Sequence, residues 1–291
     1  MRIKFITAIY SNLSGTNYGG RQNRGNHYRW SLISLLRMTN ADFICYTSNE
    51  EIEQLKHFFY FENNISENQL KIVEFNLQDS KYFNLIKEYK NVDSVKSGDR
   101  CFEIQYNKFF WFLNEDMSYD YYYWIDAGLS HCGLLPNKYL EFNDEYQGYY
   151  NSYFFDNEFL TKLINKTNDK ILIIGKDNVR NYWSGTVPSE FYNNYDNSIH
   201  TIGGIFGGKK ENFIKLVELF EFNFKKIIEN TKVLWFEEQI LSLMYRNYND
   251  MFKMFYFETW WHETNGPPGL SEDYFTINKS FYKALEDIKY E

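Results

Sequence analysis

Asp126 closes a run of strand-favouring residues, Tyr121-Tyr-Tyr-Trp-Ile125, and Ala127-Gly128 follow it. A buried strand that delivers a carboxylate at its C-terminal tip and then turns puts charge where an open α/β sheet keeps its ligand crevice. A carboxylate there can hold a divalent metal, Mn or Mg, leaving positions for phosphate oxygens. It can equally cap the turn that follows. Position 128 is Gly, so the second acid of an Asp-x-Asp pair is missing and another ligand must complete any metal site. Two histidines are candidates: His131, shortly after the strand, and His262 in Thr259-Trp-Trp-His-Glu263.

Three further groupings bear on chemistry. Gly203-Gly-Ile-Phe-Gly-Gly208 lets a ligand approach the backbone, Gly203 and Gly204 being candidate sugar contacts, or it marks a strand with tight turns. It is not a dinucleotide fingerprint, and there is no P-loop. Trp235-Phe-Glu-Glu-Gln-Ile-Leu241 sets Glu237 and Glu238 at the start of a helix, where acids suit the dipole. The same carboxylates could stabilise an oxocarbenium-like carbon or activate an acceptor hydroxyl. Gln105 and Lys108 share one helical face and could meet a diphosphate, as could Arg21 and Arg24 in the Gly-rich segment after the first strand. Thr7, Ala8 and Tyr10, at the tip of that strand, could hold a base, with Tyr10 stacking. Trp260 and Trp261 offer stacking faces to a sugar.

Such residues need a scaffold, and the sequence supplies an alternation of strand and helix. Apolar runs predict strands at 3–8, 42–46, 70–75, 120–126, 170–175, 201–208 and 251–257. Helical spacing predicts helices at 27–38, 49–61, 80–89, 102–113, 213–228, 236–246 and 281–288. The pattern weakens into loop at 91–100, 134–157, 178–199 and 259–269. Alternation of this kind predicts an α/β fold with a mainly parallel central sheet flanked by helices. One domain over 1–265 with a C-terminal extension at 266–291 is the economical division of the 291 residues.

Composition narrows the function classes. Net charge is -8 with no basic run, which argues against nucleic acid as a partner. Aromatic residues make up 21% of the chain, which suits stacking on sugars and bases but also follows from an AT-rich coding sequence, as the Asn, Lys and Ile content suggests. Three dispersed cysteines without a CxxC fit a reducing compartment. The first ten residues turn polar too soon for a secretory signal, and no apolar stretch approaches the ~20 residues of a membrane span. The expectation is a cytoplasmic protein, with peripheral contact on the inner face of the cytoplasmic membrane left open.

Taken in order, these pieces resemble a GT-A glycosyltransferase: nucleotide strand, metal strand, Gly-Gly acceptor segment, acidic helix start, late His. The local likeness is to the retaining α-1,3-galactosyl/N-acetylgalactosaminyl transferases of the blood-group type. There, Ala-Ile-Phe-Gly-Gly is followed after a helix by Trp-x-Asp-Glu-Ser. Here Gly204-Ile-Phe-Gly-Gly208 precedes Trp235-Phe-Glu-Glu-Gln239. The Trp-Ile-Asp strand and the Phe-Gly-Gly segment also look like the bacterial HtrL/YibB-type proteins.

The resemblance implies a GT-A (Rossmann-like) fold and transfer of a hexose from a nucleotide sugar, UDP-linked, to a glycan or lipid-linked glycan in bacterial surface polysaccharide, lipopolysaccharide or glycoprotein synthesis. It places Glu238 on the catalytic glutamate, with Glu237 beside it, and metal and diphosphate at Asp126 with His262. Two other readings stay open on the residues alone. One is a glycoside hydrolase with paired carboxylates such as Asp126 and Glu238; the other is a carbohydrate-binding protein without catalysis.

Overall fold

The inner strands of the sheet, the one at Tyr121–Ile125 above all, are buried on both faces and so must be covered twice, whereas the edge strand at 70–74 exposes Lys71 and Glu74. The computed structural model describes residues 2–11, 24–89, 102–128, 142–143, 148–149, 156–167, 169–177 and 199–257. In chain order they form β1 (Ile3–Ala8), α1 (Arg24–Met38), β2 (Asp42–Thr47), α2 (Asn49–Lys56), β3 (Leu70–Glu74), α3 (Phe83–Tyr89), α4 (Phe102–Phe110) and β4 (Tyr121–Ile125). Then come β5 (Phe142–Asn143), β6 (Gly148–Tyr149), α5 (Asn157–Thr167), β7 (Ile171–Asp177), β8 (Ile199–Lys209), α6 (Lys210–Thr231), α7 (Glu237–Asn247) and β9 (Phe252–Phe257).

Seven strands make one sheet in the order β3-β2-β1-β4-β8-β7-β9, and β5 pairs with β6 in a separate short ladder. Strand β8 runs antiparallel to its neighbours β4 and β7, and the remaining pairs in the sheet are parallel. The mainly parallel sheet expected from the sequence is therefore the one found.

Alternation along each strand divides the core in two. Phe5, Phe43, Tyr121, Tyr123 and Ile125 face a cluster completed by α1, α2 and α5. Ile6, Ile44, Tyr122, Trp124 and Phe206 face the other, completed by α3, α4, α6 and α7. Burial of all five β4 residues fixes its register, since a slip of one residue would exchange its two faces. The Phe-Gly-Gly segment owes its glycines partly to this packing. At Gly207, φ is +150°, and a Cβ would lie 2.3 Å from the Tyr122 carbonyl oxygen and 2.6 Å from the Tyr123 Cα.

Several boundaries differ from the sequence expectation. The helix expected over 49–61 is α-helical only to Lys56 and continues as a π-helical segment, His57–Glu62. The one expected over 102–113 ends as a 3-10 turn, Trp111–Asn114. Helix α6 runs from Lys210 to Thr231, beyond the 213–228 of its apolar stripe, because its polar ends carry no hydrophobic signal. Helix α5 was not expected at all: Asn157–Thr167 follows an aromatic, Asn-rich stretch, yet Phe159, Leu160, Leu163 and Ile164 give it a buried face. The expected helix at 281–288, the loops at 91–100 and 259–269, and the division at 265/266 lie outside the described residues.

Candidate active site

At the C-terminal ends of β1 and β4, strand β8 passes in the opposite direction and lends its first half to the same edge. The backbone N–H of Asp126 donates to the Gly204 carbonyl at 2.8 Å, so the β4 tip is stitched to β8 where the glycines lie. Helix α7 packs against β8 and begins with Glu237 and Glu238. Helix α4 reaches this edge with Lys108, although most of its buried face is aromatic.

Lys108 is the centre of the arrangement. Its Nζ lies 2.9 Å from Glu237 Oε1, 3.0 Å from Asp126 Oδ1 and 3.1 Å from the Gly203 carbonyl oxygen. An ammonium has three donors, and three acceptors surround this one. Lys108 is 6% exposed and Glu237 5%, so these charges are tied to one another away from water. Burial works against the Lys108 charge, but Asp126 and Glu237 outweigh it and push the lysine above its ordinary range. The ammonium also lies 5.4 Å from the Trp124 ring centroid. Burial pushes Glu237 up against the pull of Lys108, and the nearby Glu238 and Asp126 charges push the same way.

The second carboxylate of the helix start is placed differently. Glu238 is half-buried, and its Oε1 accepts from the Gly203 N–H at 3.1 Å. Its carbonyl accepts from the hydroxyls of Thr201 at 2.8 Å and Ser242 at 2.7 Å. Strand β8 therefore holds Glu238 at both backbone and side chain. The first-turn position of both acids also suits the helix dipole.

Asp126 stands at the rim. Its side chain is 41% exposed, and Oδ1 accepts from the Trp124 indole N–H at 2.8 Å. Sequence reasoning passed over Trp124, Thr201 and Ser242 as positioning residues. Trp124 was within reach: residues two apart on a strand share a face, so the indole lies on the side of Asp126. Thr201 and Ser242 had no local signal, because they meet Glu238 only once α7 has packed on β8.

The other nominated residues are scattered. Tyr10 is 2% exposed, stacks on Trp111 with ring centroids 6.0 Å apart and donates to the Phe75 carbonyl at 2.8 Å. A base could stack on it only after the core had moved. Thr7 is fully buried and Ala8 partly so. Gln105 keeps Oε1 buried with no hydrogen-bond partner among the described residues. Arg24 opens α1, its side chain lying outside the described set, as do Arg21, His131, Trp260, Trp261 and His262 altogether.

A divalent metal needs several hard ligands brought together. Among the described residues, no group of three or more His, Cys, Asp or Glu side chains could hold one. Asp126 offers one carboxylate whose Oδ1 is already engaged, with an ammonium 3.0 Å away. These residues alone do not fit such an ion. His262, the expected companion ligand, lies outside them.

No family model matches the sequence, and no curated protein matches it. The chain is similar in structure to mouse xyloside xylosyltransferase 1 in its apo form, with a TM-score of 0.53, 10% identity, and 94% of each chain covered. It is also matched to a 4-diphosphocytidyl-2C-methyl-D-erythritolsynthase from Anaerococcus prevotii, at a TM-score of 0.39 and 10% identity over 97% of this chain and 96% of that one. The second likeness is too slight to carry an argument. The first bears on the fold: this is an α/β, GT-A-type sheet, as the sequence resemblance implied. No helix among the described residues is long and apolar enough to cross a membrane.

Proposed function

We propose that this protein is a glycosyltransferase that moves a hexose from a nucleotide sugar, UDP-linked, to a glycan or lipid-linked glycan acceptor. The observation that carries the reading is the placing of two carboxylates around one short stretch of β8. The Asp126 backbone is bonded to Gly204, and the Glu238 side chain to Gly203. Both stand at the sheet edge where open α/β folds bind ligands, in a fold shared with a xylosyltransferase.

In this reading the donor diphosphate lies near the β4 tip, where a divalent ion shared by Asp126 and His262 would offset the repulsion between the two anions. Glu238 lies beneath the reacting carbon, where a carboxylate stabilises developing positive charge or accepts the proton of the acceptor hydroxyl. The groups on β8 hold that carboxylate in place before substrate arrives. Trp260 and Trp261 are proposed to stack on the sugars. The chain would act at the cytoplasmic side in surface-polysaccharide, lipopolysaccharide or glycoprotein synthesis, with peripheral membrane contact through a lipid-linked acceptor. The likeness of Gly204–Gly208 and Trp235–Gln239 to blood-group-type transferases supports Glu238 over Glu237 as the residue at the reacting carbon.

The experiment is a thermal-shift screen of nucleotides and nucleotide sugars, each with and without manganese or magnesium, followed by turnover of the binders. A ligand that binds only the native state raises its melting temperature. A selective shift with UDP or a UDP-sugar, and sugar transfer from it, is expected. No shift with any nucleotide, in either metal condition, overturns the reading. Release of free sugar from an oligosaccharide without nucleotide would make the protein a hydrolase instead. The paired metal conditions decide whether a divalent ion takes part.

A further inference from the structure

We infer that Lys108 is a positioning residue that fixes Asp126 and Glu237 to strand β8, rather than a contact for the donor's phosphates. The inference rests on the proposed transferase reading and deepens it. Three elements meet at the Lys108 ammonium: the β4 tip through Asp126, the start of α7 through Glu237, and β8 through the Gly203 carbonyl. The sequence suggests a lysine facing a diphosphate, but this one is 6% exposed and points into the protein.

The surroundings are shaped for the contact. A Cβ at position 203 would lie 2.7 Å from Glu237 Oε1 and 3.3 Å from the Lys108 Nζ, so a larger residue there would push the ends of both side chains aside. The indole N–H of Trp124 holds the same oxygen of Asp126 that faces Lys108, and the Asp126 side chain keeps 41% of its surface in solvent. Glu237 follows from this. It is the internal counter-charge that keeps Lys108 buried, while its neighbour Glu238 is carried into place by the same helix turn. One ammonium thus sets where the diphosphate side of the site stands relative to the reacting-carbon side. Displacements of about 1 Å in such an arrangement cost about 100-fold in rate.

The test is steady-state transfer by wild type, Lys108→Met and the double variant Lys108→Met/Glu237→Met. The single variant strands a buried carboxylate and can lose its fold. The double variant removes both buried partners together, a change that buried ion pairs tolerate well; circular dichroism checks that it folds. A positioning role lowers kcat by about 100-fold in the folded double variant, while KM for the nucleotide sugar stays within about threefold. Two results overturn it. One is a double variant whose kcat is close to wild type. The other is a loss carried by donor KM with kcat intact, the mark of a lost anion contact. A wild-type protein that turns over no nucleotide sugar overturns the transferase reading itself and this role with it, so the two failures are told apart by the wild-type arm.

Discussion

Gly203 leaves no room for a side chain beside Glu237: a Cβ at position 203 would lie 2.7 Å from the glutamate's Oε1. The glycine is there to let a buried carboxylate and its lysine close on the strand. The same residue presents its N–H to Glu238 and its carbonyl to Lys108. Placing one methyl group there is expected to force the ion pair apart. Gly203→Ala should cost about 1–3 kcal/mol, the usual range for overpacking, and should lower transfer activity as well. Urea denaturation of variant and wild type, with the activity of the folded variant, checks both. An Ala variant as stable and active as wild type would mean that α7 can shift freely, contrary to the packing described.

Asp126 sits at the rim but also faces the buried Lys108, so loss of its charge should act on chemistry more than on folding. In Asp126→Asn the amide oxygen can still accept from the Trp124 indole, and the side chain is 41% exposed in the native protein. About 1–3 kcal/mol of stability is expected to be lost, the range for a weakened bond to a charged group, because Asn no longer balances the buried Lys108 charge 3.0 Å away and Glu237 alone remains to do so. Transfer from the nucleotide sugar should fall by about 100-fold or more if the negative charge is what the reaction needs. A fully active Asn variant would remove Asp126 from the site.

Ser242 offers a test of how Glu238 is carried. Its hydroxyl accepts from the Thr201 backbone N–H at 3.0 Å and donates to the Glu238 carbonyl at 2.7 Å. Ser242→Ala leaves a buried N–H without its acceptor, which costs about 1–3 kcal/mol. Thr201 still donates to the same carbonyl. Activity per folded molecule should therefore fall less than stability does. Chemical denaturation against specific activity separates the two, and a variant that keeps full stability but loses activity would contradict this account.

The legible and illegible parts of this molecule divide along one physical line. Strands such as β4 and β7 announce themselves, because a strand buried on both faces must be apolar throughout. The acid at the tip of β4 is legible for the same reason: it ends such a run. The two glutamates were found from their place at a helix start, and the structure then separates them by burial, Glu237 at 5% exposure against a half-buried Glu238. Their different surroundings come from Lys108 and Thr201, 129 and 37 residues away respectively. No local pattern carries such contacts. Lys108 itself reads in sequence as an anion-facing helix residue; only the closing of α4 onto the sheet turns it inward. Helix α5 keeps helical spacing at Phe159, Leu160, Leu163 and Ile164, but it follows a polar, aromatic stretch that hides its start.

Away from the site, Glu221 gives a pH test of the fold alone. It lies on α6 and meets Lys81 at 2.6 Å and Lys225 at 2.7 Å, joining the turn before α3 to α6. Partial burial pushes its carboxyl up, but hydrogen bonds from Lys225 and Lys81, together with the Lys81 charge, outweigh that and bring it down to about 2. A folded-state pKa below the unfolded value means that the unfolded chain binds the proton first as pH falls. The stabilisation is therefore present above the ordinary carboxylate range near 4.5 and fades as pH drops from there toward about 2. The Glu221 side chain keeps 22% of its surface in solvent, and screening of its exposed lysine partners keeps the effect small, within about 1 kcal/mol. Urea midpoints of wild type and Glu221→Gln should differ at pH 6 and converge toward pH 3, in the range set by these two values. A gap that stays constant across that range would show that Glu221 contributes through packing of its side chain and not through its charge.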